Sequence, residues 1–134
     1  MIRILLIYGL LNICGISYGQ QNAKISTIDF VQIVNGNMEE ATFYYENNWR
    51  ILRNMAVEKE YIHSYQVLET PTSDDAPFQL MLITTYLNEE QYTLREDHFS
   101  ELIKEKGELQ LMNEKKPEEF RKTLFNKEMV RHWN

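Results

Sequence analysis

The chain is nearly free of cysteine and lacks the short motifs by which many enzymes are identified. Its single cysteine, Cys14, lies in the apolar first segment, so residues 20–134 contain no thiol. Those residues therefore provide no disulfide bond, no cysteine nucleophile and no cysteine metal ligand. They also contain no Gly-x-Ser-x-Gly elbow, no phosphate-binding loop and no Gly-x-Gly-x-x-Gly turn, which argues against a hydrolase or a nucleotide-dependent enzyme.

Basic residues are scarce as well. The chain has 20 Asp and Glu residues against 14 Lys and Arg residues, and its net charge is −6. No run of Lys or Arg offsets this excess, so the protein repels nucleic-acid phosphates and anionic lipid headgroups. We expect no nucleic-acid partner.

The first 19 residues have the layout of a cleaved secretory signal peptide. Arg3 precedes an almost wholly apolar segment at 4–16, and Ser17 and Gly19 place small residues just before Gln20. This layout is typical of export signals, and the apolar segment is too short to span a bilayer comfortably. The pattern predicts cleavage after Gly19 and a secreted or periplasmic protein that is not attached to the membrane after cleavage. Residues 20–134 are long enough for one domain.

Hydrophobic periodicity predicts three strands and two helices before residue 107. The strands lie at 26–34, 63–70 and 78–87, and the turn at 71–77 joins the last two as a hairpin. The first helix extends from an N-cap at Asn37 to about residue 59, and the second begins at an Asn88 cap and ends before Gly107. On the first helix, the apolar side is predicted to hold Ala41, Tyr45, Trp49, Leu52, Met55 and Ala56, with Arg53 among the charged residues opposite.

The tail after residue 116 admits two interpretations. Pro117 suits the first turn of a helix whose apolar side would be Phe120, Leu124 and Phe125. The segment 129–133 would then either continue this helix or form a last strand.

With a last strand, the element order β-α-β-β-α-β predicts a ferredoxin-like α+β fold with a four-stranded antiparallel sheet. The strands are apolar on both faces: Ile28 and Phe30 lie opposite Val31, and Leu82 lies opposite Ile83. One layer of helices covers one face, so we expect a homodimer in which two sheets pack together as a dimeric α/β barrel.

The chain resembles a family of secreted, mostly uncharacterised bacterial proteins of the dimeric α/β-barrel type. The resemblance rests on a strand ending near Gly36, on residues 44–46 with Trp49, on the segment 63–68 and on the closing segment 129–133. It favours a last strand over a longer helix. The wider superfamily includes small monooxygenases, haem-degrading enzymes and stress-response proteins, and the fold does not choose among them.

Four residues are candidate ligand contacts. Glu46 and Trp49 are three residues apart on the first helix, so a cavity mouth there would contain both. His63 begins the second strand and has the chemistry of a proton shuttle, and Tyr65 is one of several aromatics suited to an apolar cavity. Each also has an ordinary structural role: Trp49 and Tyr65 as core, Glu46 as a solvated or paired residue, and His63 as a partly exposed residue at a helix end.

Two functions follow. The first is a homodimeric structural or small-ligand-binding domain that takes an apolar ligand and uses no metal or cofactor. The alternative is a cofactor-independent, oxygenase-like enzyme whose cavity lies between the sheet and the helices. Haem degradation is disfavoured, because Asp29 stands on the first strand where the haem-degrading relatives need an asparagine, and Trp49 lies on a helix.

Overall fold

The computed structural model describes residues 22–133, which form a four-stranded antiparallel sheet with helices packed on one face. The strands are β1 (Ile25–Ile33), β2 (Ser64–Glu69), β3 (Leu80–Tyr86) and β4 (Arg121–Arg131), and their order across the sheet is β2-β3-β1-β4. The predicted α+β class with a four-stranded antiparallel sheet is confirmed. The predicted signal peptide lies outside the described residues.

Five α-helices and one π-helical segment connect the strands of the described part of the chain. They are α1 (Met38–Tyr44), the π-helical segment (Tyr45–Trp49), α2 (Arg50–Glu58), α3 (Glu89–Thr93), α4 (Arg95–Lys106) and α5 (Pro117–Phe120). None of these helices is long and apolar enough to cross a bilayer.

The tail is where the structure departs most from the sequence pattern. The helix that begins at Pro117 ends at Phe120, and β4 follows at once. The prediction of a helix with Leu124 and Phe125 on its apolar side is therefore wrong. Strand β4 pairs with β1 along most of its length, and Phe125 lies opposite Phe30. These ladder hydrogen bonds and cross-strand contacts outweigh the weak local preference for a helix.

The predicted helix caps differ in outcome. The side chain of Asn88 accepts a hydrogen bond of 2.9 Å from the backbone N–H of Gln91, which confirms the cap of α3. Asn37 precedes α1 but makes no side-chain cap bond. Its amide instead donates to the carbonyl of Glu119 over 2.9 Å, and its oxygen accepts from Lys115 over 2.7 Å. Asn37 therefore ties the start of α1 to the chain before β4.

Helices cover one face of the sheet, and the other face is partly exposed. On the helix-facing side, β1 and β3 bury Ile25, Val31, Ile33, Leu80, Leu82 and Tyr86. On the outer side, Ile28 lies opposite Ile83 and Phe30 opposite Met81, and all four are partly exposed. The expectation of strands that are apolar on both faces is confirmed for β1 and β3.

The helix-facing core is divided into two clusters. One contains Val31 and Leu82 with Trp49, and the other contains Ile25 and Tyr86. On β1, the helix-facing positions between the clusters are occupied by polar residues, Thr27 and Asp29. This polar interruption marks the place where a cleft opens between the sheet and the helices.

Candidate functional site

A cleft of about 260 Å³ lies between the helix-facing side of the sheet and the helices α2 and α4. Side chains from β1, β3 and β4 line it on the sheet side, and side chains from α2 and α4 line it on the other. Its lining residues are Thr27, Asp29, Tyr86, Asn126 and Glu128 from the strands, and Leu52, Arg53, Arg95, Glu96, Phe99 and Ile103 from the helices. The site therefore combines an apolar wall with several ionisable groups, as ligand pockets commonly do.

Asp29 is the least exposed of the three carboxyl residues that line this cleft. It is partly buried on β1, opposite Asn126 of β4. Burial raises the pKa of Asp29 above its ordinary value, and the positive charges of Arg53 and Arg121 offset part of that rise. Among the described residues its carboxylate has no ion pair within 4.0 Å and no hydrogen bond. A partly buried, unpaired carboxylate in a cleft is a characteristic feature of functional sites.

The guanidinium of Arg53 forms part of the cleft wall and is held on several sides. It lies 4.3 Å from the ring centre of Trp49 and 4.3 Å from that of Phe99. Its Nε donates a hydrogen bond of 3.1 Å to the hydroxyl of Thr84, which is buried. Burial lowers the pKa of Arg53 to about 10, so the group is still cationic at neutral pH. The assignment of Arg53 to the solvent side of its helix is wrong, because two aromatic faces receive its charge inside the fold.

A second arginine pairs with a carboxylate beside the cleft. Arg95, at the start of α4, lies 3.7 Å from the carboxylate of Glu128 and 4.0 Å from the ring centre of Tyr92. It also donates to the carbonyl of Tyr92 over 3.0 Å. Ile103, on the same helix, lines the cleft and is 55% exposed. The cleft therefore has both an ion pair and an accessible apolar surface.

The charge of Asp29 acts on the buried hydroxyl of Tyr45. The hydroxyl of Tyr45 is buried and has no hydrogen-bond partner among residues 22–133, and the same holds for Nε of Arg121. Burial is the main cause that raises the pKa of Tyr45. The charge of Arg121 lowers this pKa, and Tyr44 and Asp29 raise it further. Unpaired buried polar atoms are uncommon in folded proteins.

Tyr45 begins the π-helical segment, which the sequence pattern did not predict. The segment ends at Trp49 and includes Asn48, which is 1% exposed. Asn48 accepts a hydrogen bond of 2.7 Å from the backbone N–H of Gln110 and donates one of 2.7 Å to its carbonyl. This two-way contact fixes the connection after α4 to the widened helical turn. Such π-helical turns are frequent at functional sites.

The structure brings together two of the four predicted ligand contacts. The rings of Trp49 and Tyr65 meet edge to face, with their centres 5.5 Å apart. Trp49 is 9% exposed and belongs to the core, which confirms its expected burial. The hydroxyl of Tyr65 donates to the side chain of Asn54 over 2.6 Å. Both residues therefore support the wall behind Arg53 and do not line the cleft.

The other two predicted contacts lie apart from this pair. Glu46 is exposed and forms an ion pair of 3.0 Å with Arg50, four residues later. His63 is exposed just before β2 and lines a separate depression with Val57, Glu60, Ile62, Leu87 and Gln91. Neither Glu46 nor Trp49 lines that depression. The four candidate ligand contacts therefore do not line one common cavity.

Sequence reasoning missed the residues that do line the cleft, although one signal was present. On β1, every second residue from Ile25 to Ile33 faces the helices, and Thr27 and Asp29 are the polar exceptions in that series. A charged residue at a helix-facing strand position points to a cleft or a buried ion pair. Among residues 22–133, no group of three His, Asp or Glu side chains is placed to hold a metal ion.

Comparison with known proteins adds one structural likeness. No family model matches the chain, and no curated protein matches it. A crystal structure from Bacteroides thetaiotaomicron, described as a conserved protein of unknown function and possible oxidoreductase, matches with 23% sequence identity and a TM-score of 0.43. The match covers 68% of this chain and 95% of that one. The function therefore has to be inferred from the residues of this chain.

Proposed function

We propose that this chain is a homodimeric small-ligand-binding domain of the ferredoxin-like, dimeric α/β-barrel type. The cleft around Asp29, between the sheet and the helices α2 and α4, is the observation that carries the proposal. In this account each protomer binds one small molecule in its own cleft, and the outer faces of the two sheets pack against each other.

The order of the elements supports the ferredoxin-like assignment. In that fold two β-α-β units interlock, so that the strands of each unit flank a strand of the other. Here β1 and β2 flank β3, while β3 and β4 flank β1. All three pairs of neighbouring strands are antiparallel.

The outer face of the sheet supports a second copy of the chain as its cover. Phe30 lies at the centre of an aromatic cluster there, with ring centres 4.9 Å from Phe78 and 4.5 Å from Phe125. Phe125 is 46% exposed, and Leu68 of β2 is 40% exposed. Exposed apolar side chains grouped in this way suit the self-complementary contact of a two-fold dimer.

The cleft supports binding of a small molecule. It lies on the helix side of the sheet, so a dimer formed through the outer face leaves it open to solvent. Its volume of about 260 Å³ lies just below the range of about 300–1,000 Å³ that is usual for ligand pockets, so it suits a small molecule. Phe99 and Ile103 give it an apolar wall, and Asp29 and Arg53 give it polar groups that fix an orientation.

The test is a fragment screen on the purified protein, read as the rise in melting temperature. A ligand that binds the folded state raises its stability according to ligand concentration and affinity. Asn126 is exposed on β4 and lines the cleft, so Asn126→Phe should fill it and abolish the rise. Thr72→Phe, in an exposed connection outside the cleft, is the matched control and should keep the rise. Equal responses in the two variants would exclude the cleft as the site.

The proposal includes export of the chain. It is supported by the charge at Arg3, the apolar segment at 4–16 and the small residues before Gln20. Mass spectrometry of protein made in its own host should identify Gln20 as the first residue. Recovery of chains that begin at Met1 from the cytoplasm would contradict export and leave the cleft proposal in place.

A further inference from the structure

The charged groups of the cleft differ in whether they already have a partner within the protein. Arg53 faces two aromatic rings and bonds to Thr84. Arg95 pairs with Glu128 and with the carbonyl of Tyr92. Both cations therefore have partners within the described part of the chain, and Glu128 shares the charge of Arg95.

Asp29 differs from these groups. It is more buried than the exposed Glu96 and Glu128, and its carboxylate accepts no hydrogen bond among residues 22–133. A carboxylate held partly out of water without donors is costly, and a bound donor would remove that cost. The Coulomb attraction to Arg53 and Arg121 does not compensate for burial, because the net effect on the pKa of Asp29 is a rise.

We propose that the ligand of this cleft is a small primary amine on a single-ring apolar body, with its ammonium group bound by Asp29. This inference rests on the proposed function and adds the chemical class of the ligand. An ammonium group provides the donors that Asp29 lacks, and a charge-assisted bond of this kind is about twice as strong as a neutral one.

The remaining lining fits such a molecule. Phe99 and Leu52 offer apolar contacts to a ring, and Ile103 covers it from the exposed side. Three carboxyl groups and two guanidinium groups line the cleft, namely those of Asp29, Glu96, Glu128, Arg53 and Arg95. The groups that line the cleft therefore carry one net negative charge, and Arg121 adds a positive charge that acts on Asp29 from outside the lining. The acidic chain as a whole, with a net charge of −6, favours a cation over a carboxylate.

Three probes that share a ring and differ in their polar group test the proposal. They are benzylamine, benzyl alcohol and benzoate, each titrated calorimetrically into the protein at neutral pH and constant ionic strength. We expect benzylamine to bind about tenfold more tightly than benzyl alcohol, because the ammonium group adds a full positive charge to its hydrogen bond with the carboxylate. Benzoate should bind most weakly of the three.

Two variants test whether Asp29 is the group that favours benzylamine. Asp29→Asn should weaken benzylamine about tenfold and benzyl alcohol much less, since the variant removes the carboxylate charge but keeps an amide oxygen that accepts a hydrogen bond. Asp97→Asn, on the exposed side of α4 outside the cleft, should change neither. The ranking of the three probes on the unmodified protein provides a test that does not depend on the folding of the Asp29 variant.

The outcomes separate this inference from the proposed function. If benzoate or benzyl alcohol binds in the cleft as tightly as benzylamine, the amine assignment is overturned and the cleft is still a ligand site. The amine assignment is also overturned if Asp29→Asn and Asp97→Asn weaken benzylamine equally. If none of the three probes binds and the fragment screen is also negative, both the inference and the proposed function fail.

Discussion

The guanidinium of Arg53 lies 4.3 Å from the ring centre of Trp49, so a charged group contacts the largest aromatic residue of the core. Phe99 contacts the same guanidinium at 4.3 Å, and Thr84 accepts its hydrogen bond. This contact joins α2 to α4 above the sheet and forms one wall of the cleft.

Replacing Arg53 with alanine should destabilise the protein by about 2–3 kcal/mol. The change removes two cation–π contacts and the packing of a long side-chain stem. Urea unfolding measures this loss. Arg50→Ala is the matched control, because Arg50 makes an exposed pair with Glu46 and should cost less than about 1 kcal/mol. Equal losses would mean that Arg53 is not held as the structure has it.

Replacing Trp49 with alanine should cost on the order of 3–5 kcal/mol, the usual range for a large core aromatic. Trp49 is 9% exposed and packs against Tyr65. Glu46→Gln, one helical turn earlier, should change the free energy of unfolding by less than about 0.5 kcal/mol, because Glu46 is exposed. A Trp49→Ala protein with unchanged stability and lost ligand binding would reassign Trp49 from the core to the site.

The carboxyl of Asp29 should make the protein less stable as pH rises. Its pKa is raised in the folded state, so between 3.8 and that higher value the folded state holds more protons than the unfolded state. Stability falls with rising pH in that window. The groups that act on Asp29 there are Arg53 of α2 and Arg121 and Glu128 of β4.

Asp29→Asn removes this loss. The variant should melt at a higher temperature than the unmodified protein at neutral pH, and the difference should vanish below the ordinary Asp pKa of 3.8. Thermal unfolding of both proteins over a pH series measures the difference. A variant that is less stable at neutral pH would show that the charged form of Asp29 stabilises the fold.

The outer face of the sheet should hold two protomers together. Phe125→Glu places a charge in the proposed interface and should convert a dimer to a monomer in sedimentation equilibrium. Phe125 is already 46% exposed in the single chain, so the variant should keep its fold. Ile51→Glu, at a comparably exposed position of α2, should stay dimeric. A monomeric unmodified protein would remove the dimer from the proposal.

The sequence predicted those parts of the fold that depend on neighbouring residues, such as the apolar alternation along a strand or the cap of a helix. The alternation in β1 and β3 predicted two apolar faces, and Asn88 predicted the cap of α3, because both signals are local. The length of β4 could not be predicted, because its pairing with β1 depends on residues about a hundred positions apart. The π-helical segment has no sequence signal of its own, because Asn48 stabilises it through the distant Gln110.

The candidate site was harder to predict than the fold. The sequence pattern predicts an outward position for Arg53 because charged residues are mostly exposed. Its contacts with Trp49 and Phe99 exist only once α2 and α4 pack together. The sequence shows Asp29 as a polar residue in an apolar strand. Its place in the cleft could not be predicted, because it depends on the strand register that sets Asp29 opposite Asn126, between the two core clusters.

Amide chemical-shift mapping of isotope-labelled protein with the bound fragments tests the central claim most directly. The account predicts saturable shifts that cluster at Thr27, Asp29, Phe99 and Asn126, on both walls of the cleft. It predicts no comparable shifts at His63 or on the outer face around Phe125. Saturable shifts confined to those other places, or the absence of any saturable shift, would contradict the claim that this cleft binds a small ligand.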